Sequence, residues 1–95
     1  MNFIYVDTGA MYRAVTLYAL RNGLMDAETK EIKTEELEQQ INDVHVTFIL
    51  NEKGQKQTVL NGEVVETEIR QMLVSSCVSP IAALGFVRKH LVALQ

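Results

Sequence analysis

The dipeptide Asn61-Gly62 constrains this chain more than any other feature. The tightest hairpin turn needs positive φ at both central residues, which asparagine and glycine tolerate and most residues resist. Asn-Gly between strand-like runs therefore marks an antiparallel hairpin. Gln57–Leu60 supplies the strand before it and Glu63-Val64-Val65 the strand after it. Further back, Val44, Val46, Phe48 and Leu50 alternate with His45 and Thr47, the pattern of a strand with one covered face. Asn51–Gln55, containing Gly54, supplies the turn between. Residues 44–65 thus read as a three-stranded antiparallel meander, whose apolar face must be hidden by helices.

The flanks supply those helices. From Ala10 to Asn22 the apolar residues Met11, Ala14, Val15 and Tyr18 follow helical spacing, and Leu17 and Leu20 widen that face, so the helix is expected to be largely covered. Asn22-Gly23 is a left-handed stop. Asp26–Lys33 reads as a charged connector without periodicity, and Glu28–Glu38 as a solvated acidic stretch. A second helix starts at Thr34, where Glu35 and Glu36 suit the positive end of the dipole; Leu37 and Ile41 give it a thin apolar stripe. After the meander, Ile69, Met72 and Leu73 begin a helical segment that Val78, Ile81, Ala82 and Leu84 continue, and Val87, Leu91 and Leu94 mark a last helix after Gly85. Pro80 either kinks a continuous helix or opens a new one with Ser79 as its cap.

The beginning is different in kind. Phe3–Val6 is a short, wholly apolar run of the sort buried on both faces of a parallel sheet, yet no second parallel strand with a crossover follows. Its sheet is expected to lie outside this chain. The 95 residues make one hydrophobic core. A net charge of −3 argues against a dedicated nucleic-acid or anionic-membrane surface, and 47% hydrophobic residues argue against disorder. A single cysteine forms no internal disulfide and anchors no zinc spacing, and no apolar run approaches the roughly 20 residues that span a bilayer. A cytoplasmic setting is the expectation.

Chemistry concentrates where that first strand meets the first helix. Asp7-Thr8-Gly9 places a hydroxyl and unpaired backbone N–H groups at a strand-to-helix corner, a setting that favours an anion, and Arg13 follows about one turn in with a two-pronged guanidinium. Spacing alone favours the plainer reading of the same residues, as a cap (Thr8), a turn support (Asp7) and a solvated cation (Arg13). Cys77 reads as a buried structural thiol, Arg70 as an ion-pairing or capping residue, and His45 and His90 as unrelated surface positions.

Three segments bear a resemblance to a known family. The run YVDTGAMYRAVTLYAL (residues 5–20), the hairpin NGEVV (residues 61–65) and the run EIRQMLVSSCVSPIAALGFVRKHLVALQ (residues 68–95) resemble bacterial cytidylate kinases, and together they span nearly the whole chain. The resemblance implies an α+β fold, the inserted nucleoside-monophosphate-binding domain of a P-loop kinase. Residues 1–24 would be a strand and helix from the core fold and residues 25–95 the acceptor domain. It implies transfer of phosphate from ATP to cytidine or deoxycytidine monophosphate (CMP, dCMP) in the intact enzyme. Thr8 and Arg13 would meet the CMP phosphate, Tyr12 would wall the pocket, Ser79 and Arg88 would meet the cytosine, and Asp7 would position the corner; no residue here would be catalytic.

The family's glycine loop ending in Gly-Lys-Ser/Thr is absent, as are its Asp-Gly-Arg-Asp segment and lid arginines. ATP and magnesium are therefore expected to be bound elsewhere in the intact enzyme, and this chain alone is expected to be inactive. Two departures touch the base site: Pro80 directly follows Ser79, and Gly85 stands where proline commonly opens the final helix. The rival readings are a kinase with uridine or adenosine monophosphate as acceptor, and a non-enzymatic module that self-associates through the edge of residues 3–6.

Overall fold

A computed structural model describes residues 8–94. The expected strand Phe3–Val6, the edge pairing it would offer and Asp7 lie outside the described residues. Four helices, α1 (Thr8–Arg21), α2 (Thr34–Gln40), α3 (Met72–Ala82) and α4 (Gly85–Leu94), surround a sheet of β1 (Val46–Leu50), β2 (Lys56–Leu60) and β3 (Glu63–Val64). The strands run in the order β1-β2-β3, both pairs antiparallel, with Phe48 opposite Thr58 and Val59 opposite Val64. This is the small α+β arrangement expected from the Asn-Gly turn.

That turn closes as its residues dictate. Asn61 has φ 50° and Gly62 has φ 86°, and the Asn61 side chain accepts a 2.7 Å bond from the His45 N–H, tying the turn across to the approach of β1. Because an L-residue in the left-handed region costs about 1–2 kcal/mol, Gly62→Ala is expected to lower stability by about that much. Thermal unfolding of the variant checks this, and an unchanged midpoint would count against the turn geometry.

Helix α1 is the centre of the molecule. Its residues Ala10, Met11, Ala14, Val15, Leu17 and Ala19 belong to one core with Leu37, Ile41, Val44, Val65, Ile69, Val74, Cys77, Ile81, Val87 and Leu91. The helix ends in a Schellman motif: Gly23 adopts φ 68°, and the Leu24 N–H donates to the Ala19 carbonyl at 2.8 Å. The start differs from expectation: Thr8 already lies inside α1, in its first turn, and is not its cap.

The connector after α1 is more ordered than its lack of periodicity suggests. Leu24 and Met25 are buried, Met25 bridges to Ile32, and the Asp26 carboxylate accepts the N–H groups of Glu28 (2.8 Å) and Thr29 (3.1 Å). The Lys30 ammonium donates to the Ala27 carbonyl at 2.8 Å and reaches Ser76 Oγ at 3.3 Å, fastening the connector to α3. Cys77 is buried there, as expected. The stripe of α2 docks through Leu37 and Ile41, both buried.

Two expectations need correction. Strand β1 begins at Val46 rather than Val44, and its covered face lasts only as long as the core beneath it: Val46 is buried, Phe48 half-buried and Leu50 exposed. Pro80 neither opens a helix nor marks the break, and Ser79 is not a cap. Both lie inside α3; the chain turns only beyond Ala82, and α4 leaves at 100° to α3. The Leu84 carbonyl accepts the Arg88 N–H at 3.2 Å, the first backbone bond of α4. Among the described residues no single helix is long and apolar enough to cross a membrane.

Candidate functional site

The first two turns of α1 carry the residues picked out in the sequence. Thr8 and Gly9 are exposed, Tyr12 and Arg13 half-buried, and Ala10 and Met11 buried in the core. With α1 packed against α3, α4, β1 and β2, its exposed beginning is the part left to meet a ligand. Tyr12 packs its ring against the core cluster, while its carbonyl accepts a 2.8 Å bond from the Thr16 hydroxyl.

A recess of about 140 Å³ lies at this corner, lined by Gly9, Ala10, Arg13, Ile69 and Arg70. Arg13 reaches it from α1. Ile69 and Arg70 reach it from a single 3-10 turn, Glu68–Arg70, that connects β3 to α3. Ile69 points inward and is fully buried. Arg70 pairs with Glu66, as an ion-pairing role predicts: Nε donates to Oε2 at 2.7 Å. Arg13 forms no ion pair among the described residues.

Glu66 has a second set of partners. Its Oε1 accepts the Thr58 N–H and the Thr58 hydroxyl, both at 2.9 Å. Val65 gives its N–H to the Thr58 carbonyl, but its own carbonyl accepts the Ile69 N–H, and the Glu66 carboxylate takes its place for Thr58. Burial raises the carboxyl's pKa. This is outweighed by the Thr58 N–H, the Arg70 and Thr58 side-chain bonds and the Arg70 charge, which hold it below the usual glutamate range.

The remaining candidates sit apart from this recess. Ser79 is exposed in the last turn of α3 and Arg88 exposed in the first turn of α4; neither lines the recess, and no hydrogen bond joins either to Thr8, Tyr12 or Arg13 among the described residues. Helix α1 packs against both of their helices, so one helix carries the phosphate candidates and two neighbours carry the base candidates. Arg70 in the recess wall is the residue that sequence reading did not place at the site. Its signal was the adjoining Ile69, whose burial forces the next side chain to the rim.

These features describe an α+β protein with a cationic corner at the start of its central helix. The sequence model of the cytidylate kinase family matches residues 1–95, and the chain belongs to that family. A cytidylate kinase of Bacteroides fragilis is 53% identical over 96 residues, and one of Porphyromonas gingivalis 54% identical, in each case across 100% of this chain and 41% of the relative. A more distant cytidylate kinase, from Corynebacterium diphtheriae, is 42% identical over 93 residues, covering 96% of this chain and 37% of the relative. The chain thus spans about two-fifths of the length of these curated relatives.

Proposed function

We propose that this chain is the acceptor-binding part of a cytidylate kinase that transfers phosphate from ATP to CMP or dCMP. Residues 25–95 are the domain that holds the acceptor, inserted into a P-loop kinase core, and residues 1–24 are the strand and helix leading into it. What carries the reading is the family match across the full chain. Arg13, half-buried at the start of α1 and without an ion pair among the described residues, supports it, because a phosphate monoester would supply an opposite charge.

The chain's own residues bind and orient. Arg13 grips the acceptor phosphate, with the Thr8 hydroxyl and the exposed N–H groups of the first turn beside it. Tyr12 walls the nucleotide, and Asp7 holds the corner. The Arg88 guanidinium donates to cytosine O2 and N3, and the Ser79 hydroxyl accepts from the exocyclic amine. Phosphoryl transfer depends mainly on alignment and charge neutralisation, so none of these residues needs to act as a general base.

ATP and magnesium do not fit the residues present. The sequence has no Gly-Lys-Ser/Thr run, and among the described residues no group of His, Cys, Asp and Glu side chains could hold a metal ion. Those groups belong to other parts of an intact kinase, and this chain alone is inactive in this reading.

Titration of the chain with CMP, followed by amide chemical shifts, tests the proposal. Saturable shifts at Thr8, Arg13, Ser79 and Arg88 in the millimolar range are expected, with UMP and AMP weaker. Shifts absent from those four residues would refute the site. Micromolar affinity would contradict the view that part of the contacts is supplied by another segment.

A further inference from the structure

The recess beside Arg13 has a second cation in its wall, and the contacts assigned above leave it unused. Arg70 lines the same 140 Å³ space as Arg13, and the buried apolar Ile69 is part of the same wall. Its orientation is fixed from the sheet outward. Thr58 is fully buried in β2 and gives both its N–H and its hydroxyl to Glu66 Oε1. The other oxygen, Oε2, takes Arg70 Nε at 2.7 Å and lies 2.5 Å from Nη2. Both contacts use one edge of the guanidinium, and among the described residues Nη1 has no partner.

We propose that Arg70 is a second cationic contact for the acceptor phosphate, aimed at it by Glu66. This rests on the reading of the chain as an acceptor-binding domain. Two guanidinium groups sharing one small recess repel each other, and the apolar Ile69 wall strengthens that repulsion by lowering the local dielectric. Glu66 offsets part of it in the empty site. A phosphate monoester dianion between the two cations turns the remainder into attraction, with planar donors on either side of its oxygens. The plainer account is an ion pair four residues apart, with the Arg70 side chain 56% exposed. Such a pair explains why Arg70 meets Glu66. The sheet's need for an acceptor explains why Glu66 is anchored on Thr58; neither explains why the anchored pair places Arg70 in the wall of the recess that Arg13 lines.

Affinities of the chain for CMP, cytidine and inorganic phosphate, measured for wild type, Arg70→Met, Arg70→Lys, Glu66→Gln and Arg13→Met, decide the matter. Arg70→Met is expected to weaken CMP binding about tenfold or more and to leave cytidine binding unchanged. Arg70→Lys should recover part of the loss. Glu66→Gln should reduce the preference for CMP over cytidine by a smaller factor, because Arg70 stays present and loses its aim. Inorganic phosphate competing at the same site, with the same sensitivity to Arg70→Met, assigns the effect to the phosphate and not to the ribose.

If Arg13→Met abolishes the preference for CMP while Arg70→Met preserves it, Arg70 is only an ion-pair partner and the acceptor reading stands. If wild type itself prefers cytidine or binds neither, the acceptor reading fails together with this assignment.

Discussion

Truncation of Leu91 to alanine is expected to lower the unfolding free energy by about 2–5 kcal/mol, out of a total of about 5–14 kcal/mol for a domain of this size. Leu91 is 2% exposed and Val87, one turn earlier, is fully buried; together they hold α4 against the core. Half-buried Phe86 packs against the same core, and His90 Nε2 lies 2.7 Å from the Val44 carbonyl. Ten residues are too few for a helix to persist in water by itself, so loss of the Leu91 contact leaves a void and also loosens the element. Val92, 60% exposed on the same helix, is the control, and Val92→Ala should stay within about 0.5 kcal/mol. Urea unfolding of the two variants reads the difference as a fall in midpoint at similar slope. Equal midpoints would mean that α4 is not docked through Leu91. In the proposed site Arg88 contacts the base and rides on α4, so Leu91→Ala should also weaken discrimination between CMP and UMP more than it weakens phosphate binding.

The elements of this fold were legible where a local rule governs them. Asn61-Gly62 set the hairpin, Asn22-Gly23 ended α1, and the spacing of Met11, Ala14 and Val15 gave the central helix. Periodicity misled where burial depends on distant packing. Met72 and Leu73 fit a helical stripe with Ile69, but they are 81% and 53% exposed, because Ile69 sits in a separate 3-10 turn that changes the phase before α3 begins. Pro80 looked like a break, yet it lies inside α3, two residues before its end.

Arg13 is at the corner that the resemblance picked out. Arg70 shares that corner because the 3-10 turn Glu68–Arg70 packs against α1, a contact across 56 intervening positions that no local repeat announces. The Thr58–Glu66 contact was equally silent, since a carboxylate standing in for a strand carbonyl leaves no trace in any repeat.

That substitution makes Glu66 the second position of large effect. Glu66→Ala is expected to cost about 1–3 kcal/mol, the range for a buried donor left without its acceptor. Here the Thr58 N–H and hydroxyl both lose theirs, and Thr58 is fully buried. Glu63 offers the contrast: its carboxylate accepts both ends of the Arg21 guanidinium, at 3.0 and 3.1 Å, but in the open, so Glu63→Ala should cost no more than about 1 kcal/mol. Glu66→Gln keeps a carbonyl for Thr58 and removes the charge, so its loss near neutral pH should fall below that of alanine.

The two Glu66 variants also separate in acid. The Glu66 carboxyl is held below its ordinary range in the folded chain, so its contribution is complete above the unfolded value, about 4.3, and disappears as pH falls through the folded value. Asp26, lowered by the Thr29 and Glu28 N–H groups, acts in the same direction, and Asp26→Asn isolates its share. Stability measured against pH should therefore decline below about pH 4.3 less steeply in Glu66→Gln than in wild type. A variant with the wild-type slope would show that the acid sensitivity comes from other carboxylates, and that Thr58 does not depend on an ionised partner.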